Sequence, residues 1–240
     1  MFKSLLALFL LAHILGDFYW QSAALAKNKE SKFSALLWHG LLYYAAAILC
    51  LIPFYSPTLF IVISLLAALH LTVDIIKQLF TKKSRNKTAL YITDQLLHLS
   101  FIFVATVFLS SQGYDHRLLT PVDHVFSFED VSRFYTYLCL MLLIIKPANI
   151  TIKQLLWEYR PLDSDNPGIK NAGAFIGILE RIIILLFLYM HQYSAIGLVL
   201  TAKSVARYNR IAEDKQFAEY YLLGTLLSTL FVIAGYLVLT

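Results

Sequence analysis

The chain has 240 residues, of which 59% are hydrophobic and 15% are charged. Soluble domains average about 45–50% apolar and roughly 25% charged residues, so this composition excludes an ordinary soluble domain and indicates a lipid environment. The net charge of +5 does not indicate nucleic acid, because the basic residues lie between apolar runs, beside anionic lipid. The expected partners are therefore membrane lipids and no nucleic acid, and the oligomeric state is left open.

The apolar residues fall into eight runs, most of them close to the roughly 20 residues that a helix needs to cross a membrane. The pattern predicts an all-α, polytopic transmembrane helical bundle of about eight spans. Seven is possible, because the fifth run contains Pro147 and the seventh is short. The first run contains His13 and Asp17 and is interpreted as an uncleaved span, not a secretory signal. The runs cover residues 2–21, 34–52, 58–80, 88–110, 132–152, 171–190, 193–208 and 217–239.

Lysine and arginine concentrate in alternate loops. The segments 27–32, 82–87, 153–170 and 203–215 hold 14 of the 20 basic residues, whereas the loop 111–131 holds one. Since positively charged loops stay in the cytoplasm, this alternation predicts cytoplasmic basic loops and a multi-pass protein of the inner (cytoplasmic) membrane type.

A polar motif occurs twice, in the first and third runs. It has the form H-x3-D-x3-Q, which places three polar groups on one helix face. Each copy is followed by a basic loop and by a helix that carries another histidine. The first four helices therefore read as two copies of one helical hairpin related by an approximate two-fold axis. The copies comprise His13, Asp17, Gln21 and His39, then His70, Asp74, Gln78 and His98, with Asp94 added in the second.

These side chains share one depth. Counted from the predicted cytoplasmic ends, they lie about 4–10 residues inside, which is roughly 6–15 Å at about 1.5 Å per residue. Ionisable groups at such depths face the bundle interior and find partners. A bound metal removes the cost of burying them, since it keeps aspartate ionised and histidine neutral. The predicted metal ligands are His13, His39, His70, His98, Asp17, Asp74 and Asp94.

Imidazole and carboxylate ligands suit zinc first, with iron or manganese as alternatives. Seven groups are too many for one tetrahedral zinc ion. Either two ions are bound, or the histidines alone are ligands and the aspartates orient them and act as base. Gln21, Gln78 and Gln95 are candidate hydrogen-bonding partners of the ligands. Two other interpretations stay open: a hydrogen-bonded polar core that sets helix register, and a proton or ion pathway.

The last helices carry a second charged group. Glu180 and Arg181 lie within a span, and Lys203 and Arg207 share a helix face four residues apart. One interpretation is a cationic pocket that binds an anionic group such as a phosphate on a lipid-like substrate. The other is that Glu180 and Glu219 simply pair with Arg207 and Lys203. The chain thus divides into residues 1–110 with the His/Asp cluster, an outer loop 111–131, and C-terminal helices 132–240.

Several of these motifs together resemble a known family. They are residues 13–21, 36–40, 70–78 and 94–98, followed by 177–184, 201–207 and 219–225. The combination is similar to the bacterial integral-membrane family catalogued as domain of unknown function 3307. The resemblance covers nearly the whole chain, implies this topology and this grouping of residues, and implies no particular reaction.

Three functional hypotheses follow. The first is an intramembrane metal-dependent hydrolase of lipids or lipid-linked anionic molecules, with Asp17, Asp74 or Asp94 as catalytic groups and zinc polarising the substrate. The second is a transporter or channel for a metal ion or proton, which the repeat favours but the apolar outer halves of the helices disfavour. The third is a non-catalytic membrane partner protein.

Overall fold

The structure is a computed structural model that describes residues 1–54, 56–81, 86–113, 122, 125–161 and 172–240. Within those residues it contains ten α-helices, which confirms the all-α prediction. The part of the loop 111–131 that covers residues 114–121 and 123–124 lies outside the described residues. The helices are α1 Phe2–Ile14, α2 Ala23–Lys29, α3 Phe33–Leu51, α4 Pro57–Thr81, α5 Lys87–Ser111, α6 Phe128–Leu155, α7 Ala172–Tyr189, α8 Tyr193–Val205, α9 Tyr208–Glu213 and α10 Lys215–Leu239.

Seven of the described helical segments are long and apolar enough to cross a membrane, so the chain is a multi-pass membrane protein. The fifth run is one helix of 28 residues, α6, which continues through Pro147. The seventh run is different. It forms α8, a helix of 13 residues, about 20 Å long and short of the roughly 30 Å of a hydrocarbon core.

The chain divides into two compact units, and the boundary falls inside α6. The first unit is Met1–Leu142 together with Leu239, and the second is Leu143–Val238 together with Thr240. In the first unit α1 packs against α3 and α5, and α4 packs against the same two helices. The four long helices therefore form a closed ring, which is the arrangement that two adjacent hairpins require.

The first half of α6 is fastened to this ring by polar contacts. Ser132 Oγ donates to Ser4 Oγ at 2.7 Å, and the Tyr135 hydroxyl donates to the Cys50 carbonyl at 2.8 Å. At the other end, the Tyr19 hydroxyl donates to the Leu142 carbonyl at 2.9 Å. Because these bonds satisfy groups that lipid could not, they fix α6 against α1 and α3.

The end of α1 is not α-helical. Residues Leu15–Tyr19 form one turn of π-helix, and Trp20 N donates to the Leu15 carbonyl at 2.8 Å. Such a turn holds one extra residue and changes the direction of the side chains it carries. Asp17 lies inside it, so the backbone departs from regular geometry at a predicted ligand.

The short helix α2 returns the chain to the bundle. Ser22 caps its first turn by accepting from Leu25 N at 3.2 Å, which satisfies one of the unpaired donors at a helix start. Its last residue, Lys29, is buried, and the Lys29 carbonyl accepts from Gln78 Nε2 of α4 at 2.7 Å. The helix is thus anchored to α4 by its C-terminal end.

The second unit is organised by Arg181 of α7, which is buried. Its Nε donates to the Ile144 carbonyl at 2.5 Å, Nη1 to Ser228 Oγ at 3.1 Å and Nη2 to Asn149 Oδ1 at 2.5 Å. These bonds join α7 to α6 and α10. Pro147 has no N–H to donate to the carbonyl of Leu143, four residues before it. The neighbouring carbonyl, that of Ile144, accepts the bond from Arg181.

Candidate metal centre

The four histidines predicted as ligands meet inside the first unit. The His70 ring centre lies 5.8 Å from that of His13, 5.3 Å from that of His39 and 4.2 Å from that of His98. Tyr43 stacks on the other side of His70, with ring centres 3.8 Å apart. His70 is therefore the central ring of the cluster. All four rings are buried, with at most 3% of each residue exposed.

Two of the three aspartates contact the same histidine. His39 Nε2 lies 3.4 Å from Asp17 Oδ1 and 3.2 Å from Asp74 Oδ2, and 3.1 Å from His70 Nε2. Asp74 Oδ2 also lies 3.6 Å from His70 Nε2, one helical turn away. The carboxylates come from α4 and from the π-helical turn after α1, so the two H-x3-D copies converge on one point.

Lys29 is part of this cluster. Its Nζ donates to Asp74 Oδ2 at 3.1 Å and to Asp17 Oδ1 at 3.5 Å. Burial opposes protonation of Lys29, but the carboxylates of Asp17 and Asp74 raise the pKa of its ammonium group above the usual value. The interpretation of Lys29 as a topology residue missed this role. The spacing of Lys29 from the motif does not predict this role, because the contact depends on how α2 folds back.

Asp94 is held differently from the other aspartates. Its Oδ2 accepts from Lys77 Nζ at 2.6 Å and from Gln95 Nε2 at 3.2 Å, while Oδ1 lies 3.9 Å from His98 Nδ1. Lys77 was also missed, although it lies inside the second motif. Because Lys77 lies three residues after Asp74, it is close to the polar face of the motif. This spacing could have marked it as the charge partner of an aspartate.

The three candidate glutamines have different roles. Gln95 contacts the cluster directly: Oε1 lies 3.4 Å from His13 Nε2, and Nε2 donates to Asp17 Oδ2 at 3.0 Å. Gln21 Nε2 donates to the Asp17 carbonyl at 3.1 Å and so caps the π-helical turn. Gln78 binds the backbone of Lys29. The repeated glutamines therefore position the backbone around the cluster, and Gln95 touches its side chains.

Three sets of side chains place their ligand atoms within 4.8 Å of one another. Each set has two histidines and one aspartate, and all its members are buried. Asp17, His70 and His98 each belong to two sets. Asp94 belongs to none of these sets. The sets are His13, Asp17 and His98, then Asp17, His39 and His70, then His70, Asp74 and His98.

Several ring nitrogens of the cluster have no hydrogen-bond partner among the described residues. They are Nδ1 of His13, His39 and His70, and both ring nitrogens of His98. Buried polar atoms are nearly always paired, and each exception asks for an explanation such as a water or an ion. The lone pair of a neutral imidazole is also a metal ligand. The cluster therefore contains buried imidazole nitrogens that a cation could bind.

The second charged group is largely paired within its own unit. Lys203 Nζ lies 2.5 Å from Glu180 Oε2 and donates to Thr225 Oγ1 at 3.0 Å. Arg181 donates its hydrogen bonds to the Ile144 carbonyl, Ser228 and Asn149. Arg207 is half-buried, and its guanidinium carbon lies 5.9 Å from the centre of the Tyr221 ring. Glu180 thus pairs with Lys203, one of the two interpretations considered from the sequence.

Comparison with known proteins identifies the family. The family model described as "Protein of unknown function (DUF3307)" matches residues 5–127. This range includes the four-helix ring, Lys29, Lys77 and all seven predicted ligands, and it does not reach the second charged group. No curated protein and no solved structure matches the chain. By this match over half of its length, the chain belongs to the DUF3307 family.

Proposed function

We propose that this protein is an intramembrane metalloprotein that binds zinc at the His/Asp cluster and uses it to hydrolyse a lipid or a lipid-linked anionic substrate. Iron or manganese are the alternative ions. The observation that carries the proposal is the convergence of buried side chains into sets of two histidines and one aspartate, whose histidines have ring nitrogens without a hydrogen-bond partner among the described residues.

The unpartnered nitrogens favour an ion over a polar core. In a hydrogen-bonded core every imidazole would give its N–H and accept at its lone pair, because an unsatisfied buried polar group costs about 1–3 kcal/mol. Here both ring nitrogens of His98 lack a partner among the described residues. Atoms bound to one tetrahedral zinc lie about 3.4 Å apart. The ligand atoms of each set lie within 4.8 Å of one another, so binding a zinc ion would bring them closer by at most about 1.4 Å.

The composition of each set favours catalysis over a purely structural role. Structural zinc sites take four protein ligands, whereas catalytic sites take three and leave a position open for water or substrate. Two histidines and one carboxylate are also the ligands of many non-haem iron sites. Each set here offers that number and that mixture.

The bound ion would lower the pKa of a water and polarise an ester or phosphoryl oxygen. In the hydrolysis, the water oxygen bonds to the acyl or phosphoryl centre, the ester bond breaks, and the proton goes to the departing alcohol oxygen. Asp94 lies beside His98 and outside the three ligand sets, and its Oδ1 has no hydrogen-bond partner among the described residues. It is therefore the aspartate that would exchange that proton, through Oδ1. Lys29 and Lys77 balance the charge of the carboxylates.

The loop charges support the topology in which this site faces the cytoplasm of a bacterial cell. Lys27 lies in α2 and Lys32 shortly after it, and Asp17 and Lys29 lie at this end of the first span. By the positive-inside rule that end is cytoplasmic. A substrate reached from there would belong to the inner leaflet.

Elemental analysis tests the metal. The full chain is purified in detergent with a tag that contains no histidine, and compared with the double variant His70→Asn/His98→Asn, which removes a ligand from every set. The control is His191→Asn, at an exposed histidine with φ of 56° that asparagine tolerates. We expect near-stoichiometric zinc in wild type and the control and little in the double variant. Absence of zinc, iron and manganese from wild type, with none restored on addition, would refute the site.

A hydrolysis assay tests the chemistry. Metal-loaded protein is incubated with phosphatidylglycerol vesicles, and released products are measured by mass spectrometry. We expect product with wild type, none with the double histidine variant, and loss of product with retained metal in Asp94→Asn. Metal-dependent ion flux into proteoliposomes without product would replace the hydrolase by a transporter, because the same ligands would then carry the ion.

A further inference from the structure

The second unit contains a cavity of about 640 Å³ that the metal cluster does not use. It is lined by the C-terminal end of α6, the first halves of α7 and α10, and the segment from Lys203 to Arg210. Ligand sites in proteins commonly have volumes of about 300–1,000 Å³. The cavity is therefore large enough for part of an amphiphilic molecule.

Basic residues dominate the charged part of the lining. Among the described lining residues the carboxylate is Glu180, and it is already paired with Lys203 at 2.5 Å. The other cations have no ion pair with a carboxylate in the part of the chain that the structure describes. Those cations are Lys153, Arg160, Arg181, Arg207 and Arg210. Among the described lining residues there is thus a surplus of positive charge that an anion would neutralise.

Two of these arginines are held in place by aromatic rings. The guanidinium carbon of Arg210 lies 4.1 Å from the centre of the Phe217 ring, and that of Arg207 lies 5.9 Å from the centre of the Tyr221 ring. A contact of this type uses the face of the guanidinium group and leaves its in-plane N–H groups for an acceptor. Guanidinium groups frequently bind phosphate through two parallel N–H···O bonds.

Besides the uncharged polar residues Asn149, Tyr220, Tyr221, Thr225 and Ser228, the rest of the lining is apolar or has no side chain. Ile176, Leu156 and Trp157 contribute hydrophobic surface, and glycines stand on α7 and α10. A Cβ added at Gly173 would meet no atom within 4 Å, so the wall is open there. A free inorganic anion would leave this apolar surface without a partner, whereas an acyl or prenyl chain would cover it.

We propose that this cavity binds a phosphate-bearing lipid, with the head group on Arg207 and Arg210 and the chain along the apolar wall beside Gly173. The sequence pointed to Glu180, Arg181, Lys203 and Arg207 as the anion site. In the structure Glu180, Lys203 and Arg181 have partners of their own. Arg210 lines the same cavity as Arg207, and the proposal makes it the second phosphate ligand. The site does not depend on metal bound in the first unit.

Binding of three probes to the full chain in detergent tests the proposal. They are dioleoyl phosphatidic acid, dioleoyl phosphatidylcholine, whose phosphate is masked by choline, and inorganic phosphate. We expect saturable binding of phosphatidic acid and at least about tenfold weaker binding of the other two, equivalent to about 1.4 kcal/mol. Equal binding of phosphatidylcholine would overturn the role of the charge. Equal binding of inorganic phosphate would overturn the role of the chain.

Two kinds of variant locate the site. Arg207→Gln/Arg210→Gln removes the charge, and Lys215→Gln is its control, an exposed lysine that does not line the cavity. Gly173→Leu fills the cavity, and Gly197→Leu is its control, because a Cβ at Gly197 also meets no atom within 4 Å but lies outside the lining. We expect both cavity variants to weaken phosphatidic acid binding about tenfold or more, and both controls to stay within about twofold.

The same variants separate this proposal from the metal centre. Zinc content should be unchanged in Arg207→Gln/Arg210→Gln, and phosphatidic acid binding should be unchanged in His70→Asn/His98→Asn. If Gly173→Leu does not fold, the arginine pair alone decides. Unaltered phosphatidic acid binding in the arginine pair would overturn the assignment to this cavity.

Discussion

The ammonium group of Lys29 lies 3.1 Å from Asp74 Oδ2, although the two residues are 45 positions apart and belong to α2 and α4. Gln78, one turn after Asp74, binds the carbonyl of the same lysine at 2.7 Å. Side chain and backbone of Lys29 are therefore both held by one face of α4. A basic loop residue has become a counter-ion inside the cluster.

Replacing Lys29 with methionine tests this relationship. The substitution keeps the length of the side chain and removes the charge, which leaves Asp17 and Asp74 as neighbouring buried carboxylates. Breaking a buried ion pair in this way costs about 3–5 kcal/mol, so we expect a clearly lower unfolding temperature for the metal-free protein. Added zinc should restore more stability to Lys29→Met than to wild type, because a divalent cation replaces the lost charge.

The readout of unfolding can use the two free cysteines, Cys50 and Cys139, which are buried in the same unit. A thiol-reactive dye labels them when that unit opens. The control is Lys27→Met, which removes an exposed lysine from the same helix and should leave the unfolding temperature within about one degree. Equal effects of the two substitutions would show that Lys29 acts only through the net charge of the loop.

The spans and the His/Asp layer could be predicted from the sequence because both follow from simple costs. A run of about 20 apolar residues has its lowest free energy when it crosses the bilayer as a helix. Ionisable residues inside such runs must face each other, since lipid offers them no partner. His13, His39, His70 and His98 were therefore expected in the bundle interior, and all four are buried. Their depth in the membrane stays a prediction.

Lys29, the π-helical turn and the partners of Arg181 could not be predicted in this way. The burial of Lys29 depends on how α2 folds back, which Ser22 and Gln78 decide through single hydrogen bonds. The π-helical turn at Asp17 contains one extra residue, and a single extra residue leaves no pattern in the spacing of the hydrophobic residues. Arg181 donates to a backbone carbonyl. Every residue has a backbone carbonyl, so the sequence does not show which of them is available as an acceptor.

The membership of the ligand sets predicts an order among the histidines. His70 and His98 each belong to two sets, while His13 and His39 each belong to one. Substitution of His70 or His98 by asparagine leaves one set complete, and substitution of His13 or His39 leaves two. We expect zinc affinity, measured by competition with a chromogenic chelator, to fall further in the first pair than in the second. Equal losses in all four variants would indicate that the sets do not act separately.

Gly16 predicts a packing effect next to the cluster. A Cβ at this position would lie 2.6 Å from Tyr43 Cδ2 and 3.0 Å from Tyr43 Cα, so the side chain alone cannot make room. Gly16→Ala should push α3 away, disturb the stack of Tyr43 on His70, and destabilise the unit by about 1–3 kcal/mol. Gly197→Ala, where a Cβ meets open space, is the matched control. The thiol-labelling melt and the zinc content should both change in Gly16→Ala, and neither should change in Gly197→Ala.

The three hydrogen bonds of Arg181 predict that a substitution which keeps its charge will still destabilise the second unit. Lysine keeps the positive charge but cannot reach three acceptors that lie on two helices, because its donors sit on one nitrogen. Arg181→Lys should therefore leave at least one of Ile144 O, Asn149 Oδ1 and Ser228 Oγ unpaired, at about 1–3 kcal/mol for each buried group. Ser228→Ala removes one acceptor only and should cost less than Arg181→Lys. Thermal unfolding followed by circular dichroism in detergent measures both. A smaller loss in Arg181→Lys than in Ser228→Ala would mean that the charge of Arg181, and not its three bonds, holds α6, α7 and α10 together.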